Sequence, residues 1–354
     1  MEELQPERIL IVRLTAVGDV IHGAPVLCAL RDRFPDATIG WVVEGGAADL
    51  IEGHRALNHL IRVPRRWYKS PRAVLDLRRR LRQLAFDTTV DLQCLTKSAA
   101  VAWLSGAKRR LGVGGTDGRE FSKRLNNTLT LVNADHVVHH YLGICKPLGI
   151  GVERGQPVGF DSIRFDLEEH DADAAFADQT IEELGLEPRR FAVLNPGAGW
   201  ASKLWPAVRY GQVAERLLAD HGLRSLAVWG APDEKPLAKA IARNSAGAAV
   251  VAPATSLREL GAVCKRAAMF LGSDTGPMHL SVAVGTPTIS LHGPSQAEWC
   301  GAYGPENLAL QAQYTGGSYS DRRQADDEAM RAITVASVAE ACDRLLSNAR
   351  RRVA

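Results

Sequence analysis

The sequence predicts an α/β protein made of two Rossmann-like domains with parallel sheets. Apolar segments of strand length alternate with segments of helix length from one end of the 354 residues to the other. The first strand opens with a continuous apolar run, Ile9–Val12, as expected when helices cover both faces of a sheet. At this length, two domains of about 150–200 residues are expected, and ligand loops at strand ends imply a cleft between them.

In the first half, each element follows from its pattern of apolar residues and turn signals. Strands are predicted at Ile9–Leu14, Ile39–Val43 and Thr88–Leu92. A helix opens at Gly18-Asp19 and runs to about Phe34, and an arginine-rich helix covers Pro71–Leu84.

Residues 149–190 form the predicted connection, because Gly, Pro and acidic residues concentrate there around a helix at Asp171–Leu184. The first domain is therefore 1–165 and the second 166–334. Further strands are predicted at Phe191–Leu194, Leu223–Trp229, Met269–Leu271 and Thr288–His292. Further helices are predicted at Ala207–His221, Glu234–Arg243, Leu257–Lys265 and from Val335 to about Arg350. Residues 314–329 are predicted to form a loop.

Composition and charge narrow the class of protein. A net charge of +3 argues against general nucleic-acid binding, so no nucleic-acid partner is expected. Basic residues nevertheless crowd positions 62–82, which indicates either an anionic partner or a solvated helix face. Six scattered cysteines without a metal-like grouping suggest reduced thiols and a cytoplasmic protein. With no apolar run of bilayer length, any membrane contact is expected to be peripheral.

The stretch 271–292 carries the clearest chemical signal. A strand ends in the turn Gly272–Gly276, a helix rich in small residues follows, and a second strand begins at Thr288. Free N–H groups and the dipole at such a helix N-terminus favour an anion, most often a phosphate. Asp274 or Thr275 is expected to cap this helix. The pattern therefore indicates a nucleotide or sugar-phosphate ligand.

Two further loops carry polar groups at strand ends. Asp19 follows the first strand, where it acts either as a helix N-cap or as a general base for a hydroxyl proton. Lys203 lies ahead of a helix start beside a glycine turn, where it either neutralises a departing phosphate or is a surface lysine. Trp200 and Trp205 flank it as stacking or packing residues. Walker, dinucleotide and nucleophile-elbow motifs are absent from the sequence.

Several short motifs occur in a fixed order along the chain. They are R-L-T-A-V-G-D-V-I-H at 13–22, W-V-V-E at 41–44, R-R-W at 65–67, D-L-Q-C-L-T-K-S-A at 91–99, S-K-L-W-P at 202–206, D-T-G-P-M-H at 274–279 and G-P-S at 293–295. Together they resemble glycosyltransferase family 9, and within it the lipopolysaccharide heptosyltransferases, most closely those of type I. Cys94 stands where the family has Gly, and Tyr68 replaces a basic residue.

This resemblance implies a GT-B fold, with two Rossmann-like domains facing across a cleft and the last helix, 335–354, packing back on the N-terminal domain. It implies that Asp19 is the general base and that Lys203 assists departure of the diphosphate. The implied donor-binding residues are Gly18, Gly197, Ala198, Gly199, Lys203, Glu234, Thr255, Asp274, Thr275, Gly276 and His279. The implied acceptor-binding residues are Thr15, Arg65, Arg66, Lys69, Gln93, Lys97 and Arg119.

The resulting hypothesis is an inverting glycosyltransferase without a metal or cofactor. It would move heptose from ADP-L-glycero-D-manno-heptose to the Kdo region of the lipopolysaccharide inner core, on a Kdo-bearing lipid A at the cytoplasmic face of the inner membrane. One alternative is a family 9 transferase with another acceptor, either heptosyl-Kdo or a non-lipid glycan. Another is a non-catalytic module that binds sugar nucleotides. A nicotinamide oxidoreductase is a distant third.

Overall fold

The computed structural model describes residues 5–116, 121–151 and 163–353, and the chain divides into two compact units, Met1–Glu168 and Glu169–Ala354. The boundary expected from the sequence, after residue 165, lies close to this division. Among the described residues, no helix combines the length and the apolar character that crossing a membrane requires.

A six-stranded sheet, parallel throughout, forms the centre of the first unit, with strand order β3-β2-β1-β4-β5-β6. The strands are β1 Arg8–Val12, β2 Thr38–Glu44, β3 His59–Val63, β4 Thr88–Asp91, β5 Arg109–Val113 and β6 Thr128–Thr130. The central strand β1 is almost entirely buried because helices cover both of its faces.

Helices α1 Val17–Arg33, α2 Pro71–Gln83, α3 Thr96–Ser105, α4 Ser122–Leu125 and α5 Val137–Ile144 cover the first sheet. Connections between neighbouring parallel strands are right-handed. Strand β2 lies on one side of β1, whereas β4, β5 and β6 follow on the other side. Helix α1 therefore covers one face of the sheet, and α2, α3 and α4 cover the opposite face. Leu77 and Leu81 of α2 and Val101 of α3 share one buried cluster with Leu10 and Val12 of β1. The arginines of α2 therefore point away from the sheet.

The second unit repeats this architecture with strand order β12-β11-β10-β7-β8-β9, again parallel throughout. The strands are β7 Phe191–Asn195, β8 Arg224–Ala227, β9 Ala249–Val251, β10 Met269–Ser273, β11 Thr288–His292 and β12 Leu308–Gln311. Strands β7 and β10 are adjacent, so the loops that follow them lie at one edge of the sheet. The predicted α/β class with two parallel sheets is confirmed.

The helices of the second unit are α6 Asp171–Glu183, α7 Ala207–His221, α8 Lys235–Arg243, α9 Leu257–Arg266, α10 Gly276–Ala283, α11 Ala297–Cys300, α12 Tyr319–Gln324, α13 Glu328–Arg331 and α14 Val335–Val353. The apolar face of α14, including Val338 and Leu345, lies in the buried cluster of this unit together with Val213 of α7. The expected contact of this helix with the first domain stays a prediction.

The prediction of a loop over residues 314–329 is wrong. Helices α12 and α13 begin in this segment, and the Ser318 hydroxyl accepts the N–H of Asp321 while the Asp321 carboxylate accepts the N–H of Ser318. This reciprocal capping stabilises a helix start. The S-x-x-D signal was present in the sequence, although an aspartate takes the place of the usual Glu or Gln.

Candidate functional site

In the first unit, three of the predicted acceptor residues meet at the carboxyl ends of β1 and β4. The Thr15 hydroxyl lies 3.4 Å from Gln93 Nε2 and 3.4 Å from Lys97 Nζ. Gln93 is itself fixed, because its Oε1 accepts the N–H of Leu14 at 3.0 Å. The adjacency of the two strands therefore places a hydroxyl, an amide and an ammonium group side by side.

Glu44, at the end of β2, extends this group towards the basic cluster. Its Oε2 lies 3.5 Å from Lys97 Nζ, and its Oε1 accepts the N–H of Arg66 at 3.2 Å. Arg66 has a left-handed backbone conformation, with φ of 59°, and its side chain is exposed like those of Arg65 and Lys69. Glu44 thus orients both cationic segments, although its W-V-V-E motif predicts no role for it.

Asp19 is the third residue of α1 rather than its N-cap, which is Ala16. The carboxylate forms an ion pair with Arg13 through Oδ2, accepts the N–H of Ala16 at 3.0 Å and lies 3.4 Å from the Tyr141 hydroxyl. The side chain is still 36% exposed. An oriented carboxylate with open surface at a strand end is suited to accept a proton from a bound hydroxyl.

Arg13 and Tyr141 are partners of Asp19 that were not predicted as site residues. Arg13 is buried, donates to the Leu92 carbonyl at 3.1 Å and lies 5.2 Å from the centre of the Tyr141 ring. Burial disfavours the guanidinium charge, but Asp19 and the other nearby groups outweigh this effect and raise the pKa of Arg13. Burial also raises the pKa of Tyr141, so its hydroxyl stays a donor. Arg13 begins a recognised motif, whereas nothing in the sequence points to Tyr141.

In the second unit, Lys203, Asp274 and His279 form a buried polar cluster. Lys203 Nζ lies 2.6 Å from Asp274 Oδ2 and 3.1 Å from the Asp274 carbonyl. His279 Nε2 lies 3.1 Å from Asp274 Oδ1. Burial favours the neutral acid, but the hydrogen bond from His279 and the charge of Lys203 hold the pKa of Asp274 well below its usual range. The carboxylate is therefore charged at neutral pH.

Two further groups adjoin Asp274. Cys300 Sγ lies 3.6 Å from Asp274 Oδ2, and ligand atoms of Asp274, His292 and Cys300 all lie within 4.8 Å of one another. Burial lowers the pKa of His292 to about 4, so the imidazole is neutral at pH 7. These residue types can bind a divalent cation, although the Lys203 ammonium already supplies positive charge to the carboxylate. The expectation of no metal stays a prediction.

The N-terminus of α10 opens directly beside this cluster. Thr275 is the N-cap, but its hydroxyl donates to the Ser273 carbonyl at 3.2 Å and forms no cap bond. The N–H groups of Gly276 and Met278 have no acceptor within the described part of the chain. First-turn N–H groups that lack a protein partner, next to a lysine, are suited to bind an anion such as a phosphate.

Glu234 packs against the glycine turn that follows β7. Its Oε2 accepts the N–H groups of Gly230 at 2.9 Å and Ala231 at 3.2 Å. A Cβ added at Gly197 would lie only 2.4 Å from the Glu234 carboxyl carbon. The side-chain amide of Asn195 donates to the Gly197 carbonyl and to Thr275 Oγ1, at 3.3 and 3.2 Å. These contacts join the two loops at one edge of the sheet.

Other predicted residues lie at the same sheet edges without a contact that ties them to these groups. Ala198 and Gly199 continue the turn after Gly197, Thr255 follows β9, and Gly18 lies in the first turn of α1. Their roles stay predictions, as does that of Lys69. Arg119 lies outside the described residues.

The two tryptophans near Lys203 have different environments. Trp205 is 2% exposed, packs edge-on against Tyr210 and donates to the Ile333 carbonyl, so it is a core residue. Trp200 is half-buried, and the Lys203 ammonium lies 4.6 Å from its ring centre. Trp200 therefore belongs to the candidate site and holds the lysine by a cation–π contact.

Known proteins resemble this chain over most of its length. Residues 74–328 match the family described as glycosyltransferase family 9 (heptosyltransferase). The chain is 29% identical over 312 residues to a lipopolysaccharide heptosyltransferase 1 of Escherichia coli K12, covering 86% of this chain and 93% of that protein. It is 28% identical over 326 residues to the lipopolysaccharide heptosyltransferase 1 of Pseudomonas aeruginosa, covering 87% and 84%.

Solved structures show the same fold. The Escherichia coli heptosyltransferase WaaC with ADP-2-deoxy-2-fluoro heptose matches with a TM-score of 0.72 and 26% identity, over 95% of this chain and 99% of that chain. A family 9 glycosyltransferase from Veillonella parvula matches with a TM-score of 0.79 and 20% identity, over 98% and 99%.

Proposed function

The chain belongs to glycosyltransferase family 9, and from this premise we propose that it transfers heptose from ADP-L-glycero-D-manno-heptose to Kdo on a lipid A acceptor, with inversion at the anomeric carbon. The observation that carries the proposal is the Lys203–Asp274–His279 cluster beside the open N-terminus of α10. The relatives of this chain that are named lipopolysaccharide heptosyltransferase 1 support the choice of donor and acceptor.

The donor diphosphate binds at α10. The N–H groups of Gly276 and Met278 donate to its oxygens, and the positive end of the helix dipole attracts them. Lys203 neutralises charge that grows as the glycosidic bond breaks. Asp274, kept ionised by Lys203 and His279, accepts hydrogen bonds from heptose hydroxyls. Glu234, beside Gly197, accepts hydrogen bonds from the ribose hydroxyls, as the family resemblance implies.

The acceptor hydroxyl is activated by Asp19. Arg13 and the Tyr141 hydroxyl orient its carboxylate and leave part of it open, so that it removes the proton as the hydroxyl attacks the anomeric carbon. A single displacement with one base inverts the configuration. The anionic Kdo carboxylates bind among Arg65, Arg66 and Lys97, which supply N–H donors at the end of the first sheet.

Substitution of the base separates chemistry from donor binding. Asp19→Asn keeps the shape and hydrogen-bonding oxygen of the side chain but accepts no proton, so kcat is expected to fall by about 10²–10⁴-fold. Binding of ADP, measured by calorimetry, should change by less than about twofold. Asp36→Asn, at an exposed turn after α1, is the matched control and should keep full activity. Undiminished turnover by Asp19→Asn would exclude Asp19 as the base.

The acceptor is tested by offering three molecules to the same preparation. Soluble Kdo-disaccharide, heptosyl-Kdo and a neutral glycan are each incubated with ADP-heptose, and ADP release is followed. Preferential use of the Kdo acceptor supports the proposal. Preference for either of the others assigns the chain to another family 9 activity.

A further inference from the structure

The outer surface of the helix layer formed by α2, α3 and α4 is unusual in composition. Six exposed side chains define it, and we call it the helix-layer face: Arg72, Leu75, Arg78, Arg82, Trp103 and Phe121. On α2 the exposed residues recur every three or four positions, opposite the buried Leu77 and Leu81. The arginine-rich segment noted in the sequence is thus the solvent side of an amphipathic helix.

The members of this face lie on neighbouring helices. Arg82 Nε donates to the Leu104 carbonyl at 3.2 Å, which brings the end of α2 beside Trp103. The N–H of Phe121 lies 3.4 Å from Thr96 Oγ1 at the start of α3, two helical turns before Trp103. These contacts join α2 and the start of α4 to α3 within one helix layer.

Positive charge dominates this face. Helix α2 contains five arginines and one aspartate, a net charge of +4, whereas the whole chain carries +3. The aspartate, Asp76, pairs with Arg79. Arg72 and Arg78 form no ion pair with any residue that the structure describes. Arginines that have no ion-pair partner within the described part of the chain attract an anionic surface.

Three large apolar side chains project from the same face. Leu75 is 63% exposed, Trp103 56% and Phe121 57%. Basic residues interleaved with an exposed tryptophan, phenylalanine and leucine are typical of a surface that lies in the headgroup region of a bilayer. Binding of a nucleic-acid backbone would use the arginines but would leave Leu75, an aliphatic side chain without a stacking surface, in water.

We infer that the helix-layer face docks on a bilayer that contains anionic phospholipid, an inference that rests on the proposed function because a lipid-borne acceptor is what such docking serves. Arginines contact the lipid phosphates, and Leu75, Trp103 and Phe121 enter the boundary between headgroups and acyl chains. Arg65, Arg66 and Lys69 immediately precede α2, so docking holds the predicted acceptor residues near the lipid surface.

Vesicle co-sedimentation tests this inference with the full chain. Vesicles of phosphatidylglycerol and phosphatidylcholine are compared with phosphatidylcholine alone, at low and high salt. Arg72→Gln with Arg78→Gln should weaken partitioning by about 25-fold, since each surface arginine contributes about fivefold. Leu75→Ser with Trp103→Ser should weaken it by at least tenfold at both salt concentrations. High salt should reduce binding of the wild-type chain.

The matched controls lie in the second unit. Arg216→Gln with Arg243→Gln removes the same charge from exposed positions of α7 and α8. Leu218→Ser with Trp299→Ser removes similar apolar groups, which are 40% and 36% exposed. Both controls should partition like the wild type. Equal losses in controls and test variants, binding only to RNA, or no binding to anionic vesicles would overturn the inference.

Turnover of a soluble, delipidated Kdo acceptor separates this inference from the proposed function. The helix-layer variants should keep wild-type rates on that acceptor and lose at least tenfold on vesicle-embedded Kdo-lipid A. If the wild type uses neither acceptor, the proposed function fails. If it uses both, and the variants are equally active on both, only the docking surface is wrong.

Discussion

Substitution of Gly197 by alanine should impair donor binding through Glu234. The added Cβ would lie 2.4 Å from the Glu234 carboxyl carbon and 2.5 and 2.6 Å from its two oxygens, so the carboxylate must move by about 1 Å to reach an ordinary contact of 3.4 Å. Such a shift breaks at least one of its hydrogen bonds to the N–H groups of Gly230 and Ala231. A hydrogen bond to a charged group contributes about 1.5–3 kcal/mol.

If the displaced carboxylate loses the hydrogen bonds proposed for it with the ribose, the dissociation constant for ADP rises by about 10- to 150-fold. Isothermal titration calorimetry with ADP measures this change. Gly46→Ala, in the first unit, is the matched control, because the nearest atom to a Cβ there is Asp49 Oδ2 at 3.9 Å, and its affinity should stay within about twofold of the wild type.

A double-mutant cycle identifies the route of the effect. With Glu234→Ala the clash disappears, so adding Gly197→Ala to that variant should weaken ADP binding little further. Equal ADP affinities for Gly197→Ala and Gly46→Ala would contradict this prediction. So would a fully additive cycle, since the glycine would then act independently of Glu234.

Three other changes follow from the same structure. Lys203→Ala should lower kcat by about 10²–10³-fold and weaken ADP binding, whereas a change confined to acceptor affinity would reverse the roles of the two units. Acid should lower the free energy of unfolding through His292. The pKa of this imidazole is about 4 in the folded chain and about 6.5 in the unfolded chain, so the unfolded chain binds more protons at pH values between these two. About 3 kcal/mol of unfolding free energy is therefore lost from pH 6.5 to 4, and urea titrations of His292→Asn should lack this component. Cys94 has a left-handed backbone conformation, with φ of 51°. Because glycine adopts this conformation without strain, Cys94→Gly should be about 1 kcal/mol more stable than Cys94→Ala in urea titrations. The reverse order of stability would contradict backbone strain at this position.

The sequence predicted the buried strands better than the strands at the sheet edges. Strand β1 is apolar from Ile9 to Val12, and its predicted bounds lie within two residues of the observed ones at either end. The four edge strands, β3, β6, β9 and β12, and the interior strand β5 were not predicted. The edge strands are short and partly exposed, a pattern that resembles a loop. Such short edge strands depend on pairing with a neighbour rather than on their own composition.

Some residues of the candidate site are indicated by local sequence, whereas others are brought together only by the fold. Asp274, Thr275 and His279 lie within one short turn and helix start, so local sequence indicated them together. The ion pair between Asp274 and Lys203, which are 71 positions apart, depends on the adjacency of β7 and β10. Tyr141 could not be predicted, because its contact with Asp19 joins two helices that are 122 positions apart.

The central claim is tested most directly by mass spectrometry of the products formed from ADP-heptose and Kdo₂-lipid A. The account predicts a single heptose added to the Kdo region by the wild type, with release of ADP, and none above background with Asp19→Asn. An unmodified acceptor after incubation with folded, ADP-binding protein would contradict it, as would equal product from the Asp19 variant.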